Sequence, residues 1–310
     1  MVYFGVDSSN YRSSAAAVFS DNSYISERKL LDVSKGMCGL RQSDAVFLHT
    51  KQLPDIVSKV LKSIDKGEIA CVSVSVTPRN VEGSYMPCFL CGSALAKTLS
   101  SALTVPIFEF SHQEGHIASA LLSANRLDLL NEKFIAFHLS GGTTEALLVS
   151  RNSDGRFNCD IIGKTLDISV GQVIDRVGVM LGTSFPSGPE LEKLAKDGKP
   201  ALNIRPSIKG CDCALSGVQN ICENIFKKGE DKANIAATAL DYVTQTVIKM
   251  TRNILNSYGD LPLVFSGGVV ANEYFKNEIS KNFEANFASP ELSGDNAVGT
   301  ALLGKIMMEK

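Results

Sequence analysis

The chain has 310 residues, 44% hydrophobic and 21% charged, with 31 basic against 33 acidic side chains and a net charge of −2. That balance suits a soluble globular protein of two domains. It argues against a self-sufficient nucleic-acid binder, so any nucleic-acid contact needs a local patch or a partner protein.

The first residues, Met1-Val2-Tyr3-Phe4-Gly5-Val6-Asp7, carry no basic region and no long apolar stretch. They read as a first strand rather than a signal peptide, and no window is apolar for long enough to span a membrane. The expected location is cytoplasmic. The eight cysteines are then expected as reduced thiols. Two close pairs, Cys88/Cys91 and Cys211/Cys213, read either as a shared zinc site or as buried, inert thiols.

In chain order, strands are predicted at Tyr3–Asp7, Ala15–Phe19 and Tyr24–Leu31, the first two joined by a polar loop over Ser8–Ser14. An apolar stripe through Val46, Leu53, Val57, Val60, Leu61 and Ile64 predicts a helix over Asp44–Ile64. The β-branched run Ile69–Val76 predicts a strand, followed by a helix over Cys91–Leu103 and a short strand at Val105–Phe108. The pattern then restarts. Strands are predicted at Phe134–Leu139, Glu145–Ser150 and Phe157–Gly163, then helices that include a long one over Ala233–Ser257. A strand at Leu261–Phe265, a helix from Ala271 to about Asn282, a strand at Ala285–Ala288 and a closing helix over Asn296–Met308 complete the chain. Three strands followed by helix–strand alternation, twice over, predict two related α/β halves with a cleft between them. The boundary falls in Ala124–Glu132. The first lobe takes residues 1–127 together with the closing helix at about 296–310, and the second takes 128–295.

Two predicted strands end in the same tripeptide, Ser140-Gly141-Gly142 and Ser266-Gly267-Gly268. Paired glycines after a strand let backbone amides approach a phosphate closely, although Gly-Gly is also an ordinary hairpin turn. The second loop leads through Asn272 into a helix, whose N-terminus favours an anion. Asp7, at the end of the first strand, is placed for phosphate or metal, or is a turn aspartate. Further on, Asp175 and Glu192 could bind ribose hydroxyls or simply cap and solvate helices; Glu192 follows the turn Phe185-Pro186-Ser187-Gly188-Pro189. Lys193, Lys196, Lys199, Arg205 and Lys209 form a basic stretch that fits either nucleic acid or a solvated face.

His112 and His116, in Ser111-His112-Gln113-Glu114-Gly115-His116, stand four residues apart in a chain with four histidines. On a helix they lie about 40° apart around the axis, so both could grip one transition-metal ion. Asp295, in Ser293-Gly294-Asp295-Asn296, is the candidate oxygen ligand. A zinc protease places its glutamate beside the first histidine. Here Glu114 is two residues beyond it, about 200° around a helix, which argues against proteolysis.

Taken together and in order, these elements resemble the TsaD family of tRNA threonylcarbamoyltransferases, within the actin/sugar-kinase/Hsp70 fold. The matching pieces are His112 to His116, Ser140 to Gly142, Asp175, Pro186 to Pro189 with Glu192, Ser266 to Asn272, and Asp295-Asn296. The resemblance implies an α/β fold of two actin-like (RNase H-like) domains. It implies transfer of a threonylcarbamoyl group from threonylcarbamoyl-adenylate to N6 of a tRNA adenosine next to the anticodon. It further implies one divalent metal ion, iron or zinc, on His112, His116 and Asp295, and partner proteins of the TsaB and TsaE kind. Asp7 and Ser140-Gly141-Gly142 would serve the transfer. Leu139, Ser140, Gly141, Gly142, Asp175, Gly188, Glu192, Gly267, Gly268 and Asn272 would seat the adenylate, an ATP-type nucleotide.

The chain also departs from that pattern. Thr143 stands where the family has a histidine, Gln172 where it has a glutamate, Arg176 where it has a lysine, and Gln219 where a second lysine is expected. An acidic pair is missing from the first loop, where Asn10-Tyr11-Arg12 stands instead, and a Pro-Gly-Pro-Gly loop has become Thr77–Gly83. These losses fit an alternative reading, a diverged paralogue that binds nucleotide and metal for another carbamoyl transfer or a regulatory role.

Overall fold

The computed structural model describes residues 1–9, 11–32, 41–289, 291–292 and 296–310, Asn296 by its backbone alone. By its internal contacts the chain divides into two units. The first comprises Met1–Leu130, Arg151–Asn158 and Glu291–Lys310, and the second Asn131–Ser150 and Cys159–Pro290. The short segment Arg151–Asn158 joins the first unit, which chain order alone does not suggest.

In the first unit, β1 (Val2–Ser9), β2 (Arg12–Phe19), β3 (Tyr24–Leu30), β4 (Ile69–Thr77) and β5 (Ile107–Ser111) form a sheet in the order β3-β2-β1-β4-β5. The first three strands pair antiparallel, and β4 and β5 add in parallel. Side chains alternate across this sheet with period two. Val2, Phe4, Val6, Val72 and Val74 pack against Leu53, Ile56, Val57 and Val60 of α1 (Gln42–Lys62) and Ala96 of α2 (Phe89–Leu103).

On the opposite face, glycines let a helix approach closely. A Cβ on Gly5 would lie 2.2 Å from the carbonyl oxygen of Ala297, and one on Gly299 would lie 1.9 Å from that of Gly115. Helix α9 (Asn296–Met308) is thereby seated against β1 and against α3 (His112–Ser123). Asp7 shares this face with Gly5, so strand parity turns it toward the α3 side of the sheet.

One expectation is corrected here. Ser8–Ser9 and Arg12–Ser14 are strand rather than loop, because β1 and β2 pair up to Ser9 and Arg12. Two of the serines, polar in sequence, find partners inside. Ser8 Oγ donates to the Cys88 carbonyl at 2.9 Å, and Ser13 Oγ lies 2.7 Å from Nδ1 of the buried His49. A small hydroxyl with a partner can be buried at little cost. Asp7 therefore lies within a strand rather than at its end.

In the second unit, β6 (Phe134–Leu139), β7 (Thr144–Arg151), β8 (Phe157–Lys164), β11 (Leu263–Ser266) and β12 (Ala285–Phe287) take the order β12-β11-β6-β7-β8. β6 and β7 are antiparallel, while β6, β11 and β12 are parallel. Numbered within its own unit, this is the same strand order as in the first. A small hairpin, β9 (Ser207–Lys209) with β10 (Asp212–Ala214), precedes α6 (Ser216–Lys227) and α7 (Lys232–Tyr258). The core joins Ile135, Phe137, Leu139 and Phe265 of the sheet to Val173 and Val177 of α4 (Val170–Leu181), Leu191 of α5 (Gly188–Ala195) and Val243 and Val247 of α7. Phe137 and Phe265 stack with centroids 4.6 Å apart.

Candidate functional site

In the second unit, the two Ser-Gly-Gly loops leave the C-terminal ends of the parallel neighbours β6 and β11. They border a cavity of about 470 Å³ lined by Gly141, Asp175, Gly188, Glu192, Gly268 and Asn272. These six positions were singled out in sequence from four separate stretches. Gly171, Ile174, Pro186, Pro189, Val269 and Ala271 complete the wall. Pro186, Pro189, Val269 and Ala271 belong to the turn and loop read in sequence, whereas Gly171 and Ile174 look like ordinary helix residues. Gly171 stands in the first turn of α4. A Cβ there would lie 2.6 Å from both Gly141 N and Ser140 O, so its absence lets α4 dock against the first loop.

Each loop is tied internally. The Ser140 hydroxyl accepts from Gly142 N at 3.3 Å and Thr143 N at 3.1 Å, and Ser169 Oγ donates to the Gly141 carbonyl at 2.8 Å. Ser169 also caps α4 through a box with Gln172, so the residue that replaces the family glutamate here holds the helix start. Arg176 Nη1 donates to Gln219 Oε1 at 3.1 Å, pairing two further departures.

The second loop bends at Gly267, whose φ of 103° lies in the left-handed region. It runs through a 3₁₀ turn, Gly268–Ala271, before α8 (Glu273–Asn282) begins. That helix starts two residues later than expected, and two of its first amides are already taken by side chains. Asn272 Oδ1 accepts from Phe275 N at 2.8 Å, and Glu192 Oε1 accepts from Glu273 N at 2.9 Å. The anion at this helix start is the protein's own Glu192. Asp175 Oδ1 accepts from Ser187 N at 2.8 Å, fixing the Pro186–Gly188 turn. Each acid thus has one oxygen committed to a backbone amide while its residue lines the cavity.

Of the other expected residues, Gly142 is exposed and Ser140 half-buried beside the cavity wall. Leu139, expected to help seat the adenylate, has a fully buried side chain in the core and is not among the residues that line the cavity. Strand parity sends it inward, and its carbonyl meets Gly267 instead.

In the first unit, α3 opens directly after β5. Ser111 is its N-cap, and a capping box with Glu114 fixes the first turn. His112 and His116 lie one turn apart with ring centroids 4.6 Å apart, edge to face. Asp7, 2% exposed, brings Oδ1 to 2.9 Å from His112 Nδ1. A carboxylate on Nδ1 fixes the tautomer that leaves the lone pair on Nε2, the arrangement found behind metal-bound histidines. The donor chemistry therefore suits a transition metal, with Asp7 as support rather than ligand. Among the described residues no three His, Cys, Asp or Glu side chains form a metal set; Asp295 lies outside the described residues. Glu114 is fully buried against Arg156, at 2.8 Å, which occupies it as a structural anion.

Of the cysteine pairs, Cys88/Cys91 belongs to the first unit and Cys211/Cys213 to the second. Cys88 is buried and its thiol is pushed up to about 11, chiefly by desolvation. Cys213 lies in the core and is pushed up to about 12 for the same reason. Lys196 pairs with Glu273 at 3.7 Å on the surface, and Lys193, Lys199, Arg205 and Lys209 are exposed. Among the described residues no helix is long and apolar enough to cross a membrane.

Two units of identical strand order, one with a nucleotide-sized cavity at its strand ends, define an actin-like α/β protein. Component A of the (R)-2-hydroxyglutaryl-CoA dehydratase of Acidaminococcus fermentans is similar in fold, with a TM-score of 0.56, 16% identity and coverage of 99% of each chain. The family model of TsaD, tRNA N6-adenosine threonylcarbamoyltransferase, matches residues 31–302. The protein of that name from Dictyoglomus turgidum is 30% identical over 328 residues, covering 100% of this chain and 94% of its own. The one from Methanopyrus kandleri is 25% identical over 316 residues, covering 100% and 88%. The chain belongs to the TsaD family.

Proposed function

We propose that this chain transfers the threonylcarbamoyl group of threonylcarbamoyl-adenylate to N6 of a tRNA adenosine next to the anticodon. In the reaction the amine nitrogen attacks the carbamoyl carbon. A C–N bond forms, the bond from that carbon to the adenylate's phosphate oxygen breaks, AMP leaves, and the nitrogen loses a proton. The observation that carries this reading is the cavity in which Gly141, Asp175, Gly188, Glu192, Gly268 and Asn272 meet, in a chain that belongs to the TsaD family.

The cavity wall would seat the adenylate, with the glycines admitting its phosphate and the two acids facing its ribose. The chain's main contribution is then positioning of the two reactants. His112 and His116, with Asp295, would hold a divalent ion, iron or zinc, which when bound would supply charge stabilisation for the leaving phosphate. Asp7 would orient His112 for that task. TsaB- and TsaE-like proteins would be its partners, tRNA its second substrate, and the cytoplasm its place of work.

Nucleoside mass spectrometry of tRNA from host cells depleted of this protein tests the proposal. A fall in threonylcarbamoyladenosine, restored by the wild type and not by Asp175→Ala, supports it. An unchanged level overturns it.

A further inference from the structure

We propose that Arg156, acting through Glu114, is a positioning residue for the His112/His116 pair. The inference rests on the reading that these histidines serve the transfer, but one readout of its test, hydrogen exchange, does not depend on the metal.

Glu114 occupies the third position of α3, between the two histidines. Its side chain is 0% exposed, and its carboxylate accepts hydrogen bonds from five donors. Oε2 accepts from Ser111 N at 2.7 Å, Ser111 Oγ at 2.8 Å and Arg156 Nη2 at 2.8 Å. Oε1 accepts from Arg156 Nε at 3.2 Å and Phe157 N at 3.3 Å. Burying a carboxylate so completely is costly unless it is paired and fully hydrogen-bonded. Arg156 supplies both the charge and a two-pronged grip, which lysine cannot reproduce.

This arrangement fixes more than a helix end. Bonds from the cap residue on one side and from the Arg156–Phe157 backbone and side chain on the other set the start of α3 and its rotation about its axis. The histidines flank Glu114 by two residues on either side, so that rotation decides where their rings point. The Arg156 end is itself preorganised. Asn152 N donates to Arg156 O at 2.9 Å, Arg156 N donates to Asn152 Oδ1 at 2.9 Å, and Gly155 N donates to Asn152 O at 3.0 Å. The guanidinium also lies over the Phe110 ring, 5.7 Å from its centroid, one residue before the helix cap. A glutamate placed to assist hydrolysis would need an oxygen available to water; here both oxygens are taken by the protein.

Hydrogen exchange and metal titration on the full chain test this, using Arg156→Ala, Arg156→Lys and, as control, Val72→Ala in the sheet core of the same unit. Arg156→Ala is expected to speed amide exchange across Ser111–His116 and to weaken Zn²⁺ binding by roughly 10- to 100-fold. Arg156→Lys should fall between it and the wild type. Val72→Ala, at a similar loss of melting temperature, should leave both readouts near wild type. Should Arg156→Ala be too unstable to purify, Arg156→Lys carries the same comparison. Exchange in Ser111–His116 that matches wild type in both Arg156 variants overturns the proposal, as does an equal loss of Zn²⁺ affinity in Val72→Ala. Faster exchange when no variant, wild type included, binds Zn²⁺ supports the positioning role and removes the metal from the functional reading.

Discussion

His112 Nδ1 lies 2.9 Å from Asp7 Oδ1, across 105 residues of chain. The contact follows from sheet register. β1 and β5 flank β4 in parallel, so the first helical residue after β5 arrives beside the aspartate that β1 turns to the α3 face. Asp7→Asn preserves the volume but removes the anion that selects the Nδ1–H tautomer. Zn²⁺ or Co²⁺ affinity should fall roughly 10- to 100-fold, with little change in melting temperature. Titration of the purified variant checks this. Wild-type affinity would show that Asp7 does not support His112.

Asp175→Ala removes a cavity wall and strips Ser187 N of its acceptor. Hydrogen bonds to charged groups are worth about 1.5–3 kcal/mol. Affinity for AMP should therefore drop by roughly tenfold or more, measured by calorimetry. Glu192→Gln, which keeps an acceptor for Glu273 N, should lose less. The reverse ranking would mean that Glu192, not Asp175, carries the nucleotide contact.

The glycine loops separate fold from binding. At Gly267 an alanine would have to adopt φ 103° and place its Cβ 2.2 Å from the Leu139 carbonyl. Strain and clash together should cost about 2–4 kcal/mol, seen as a melting temperature lower by several degrees. At Gly268 an added Cβ meets nothing within 4 Å, yet the residue lines the cavity. Gly268→Ala should leave stability near wild type and weaken AMP binding. Equal melting temperatures for the two variants would refute this division.

How legible the molecule was depended on the range of each interaction. The Ser-Gly-Gly loops and the Pro186–Glu192 turn could be read because glycine and proline restrict the backbone locally. The doubled strand pattern also stood out, since periodicity needs no partner. Asp7 beside His112 could not be read, because it depends on three strands in register. Glu114 could be dismissed as a base from helix geometry, but its real partner lies 42 residues on, in a hairpin tip. Ser8 and Ser13 misled because polarity in sequence says nothing about a buried carbonyl or imidazole waiting to receive them. Gln172 and Gln219, legible only as losses, hold a helix start and an arginine.

Asp167 gives the chain an acid-sensitive tie. Burial works to raise its pKa, but hydrogen bonds from Ser216 Oγ, Leu215 N, Ser216 N and Ile168 N outweigh that and hold it at about 2. These bonds join the segment before α4 to the start of α6, where an anion also suits the helix dipole. An unfolded aspartate titrates near 3.9. A carboxyl whose folded pKa is depressed contributes stability that is complete above the unfolded value and is lost as pH falls through the folded one. The contribution should thus be full at pH 5 and above and decline from about pH 4 toward pH 2. Asp167→Asn should melt below wild type at neutral pH, and the gap should narrow steadily below about pH 4. Melting curves of both proteins from pH 7 to pH 3 measure this. A gap that stays constant over that range would mean that the ionised carboxylate contributes nothing beyond what an amide oxygen supplies.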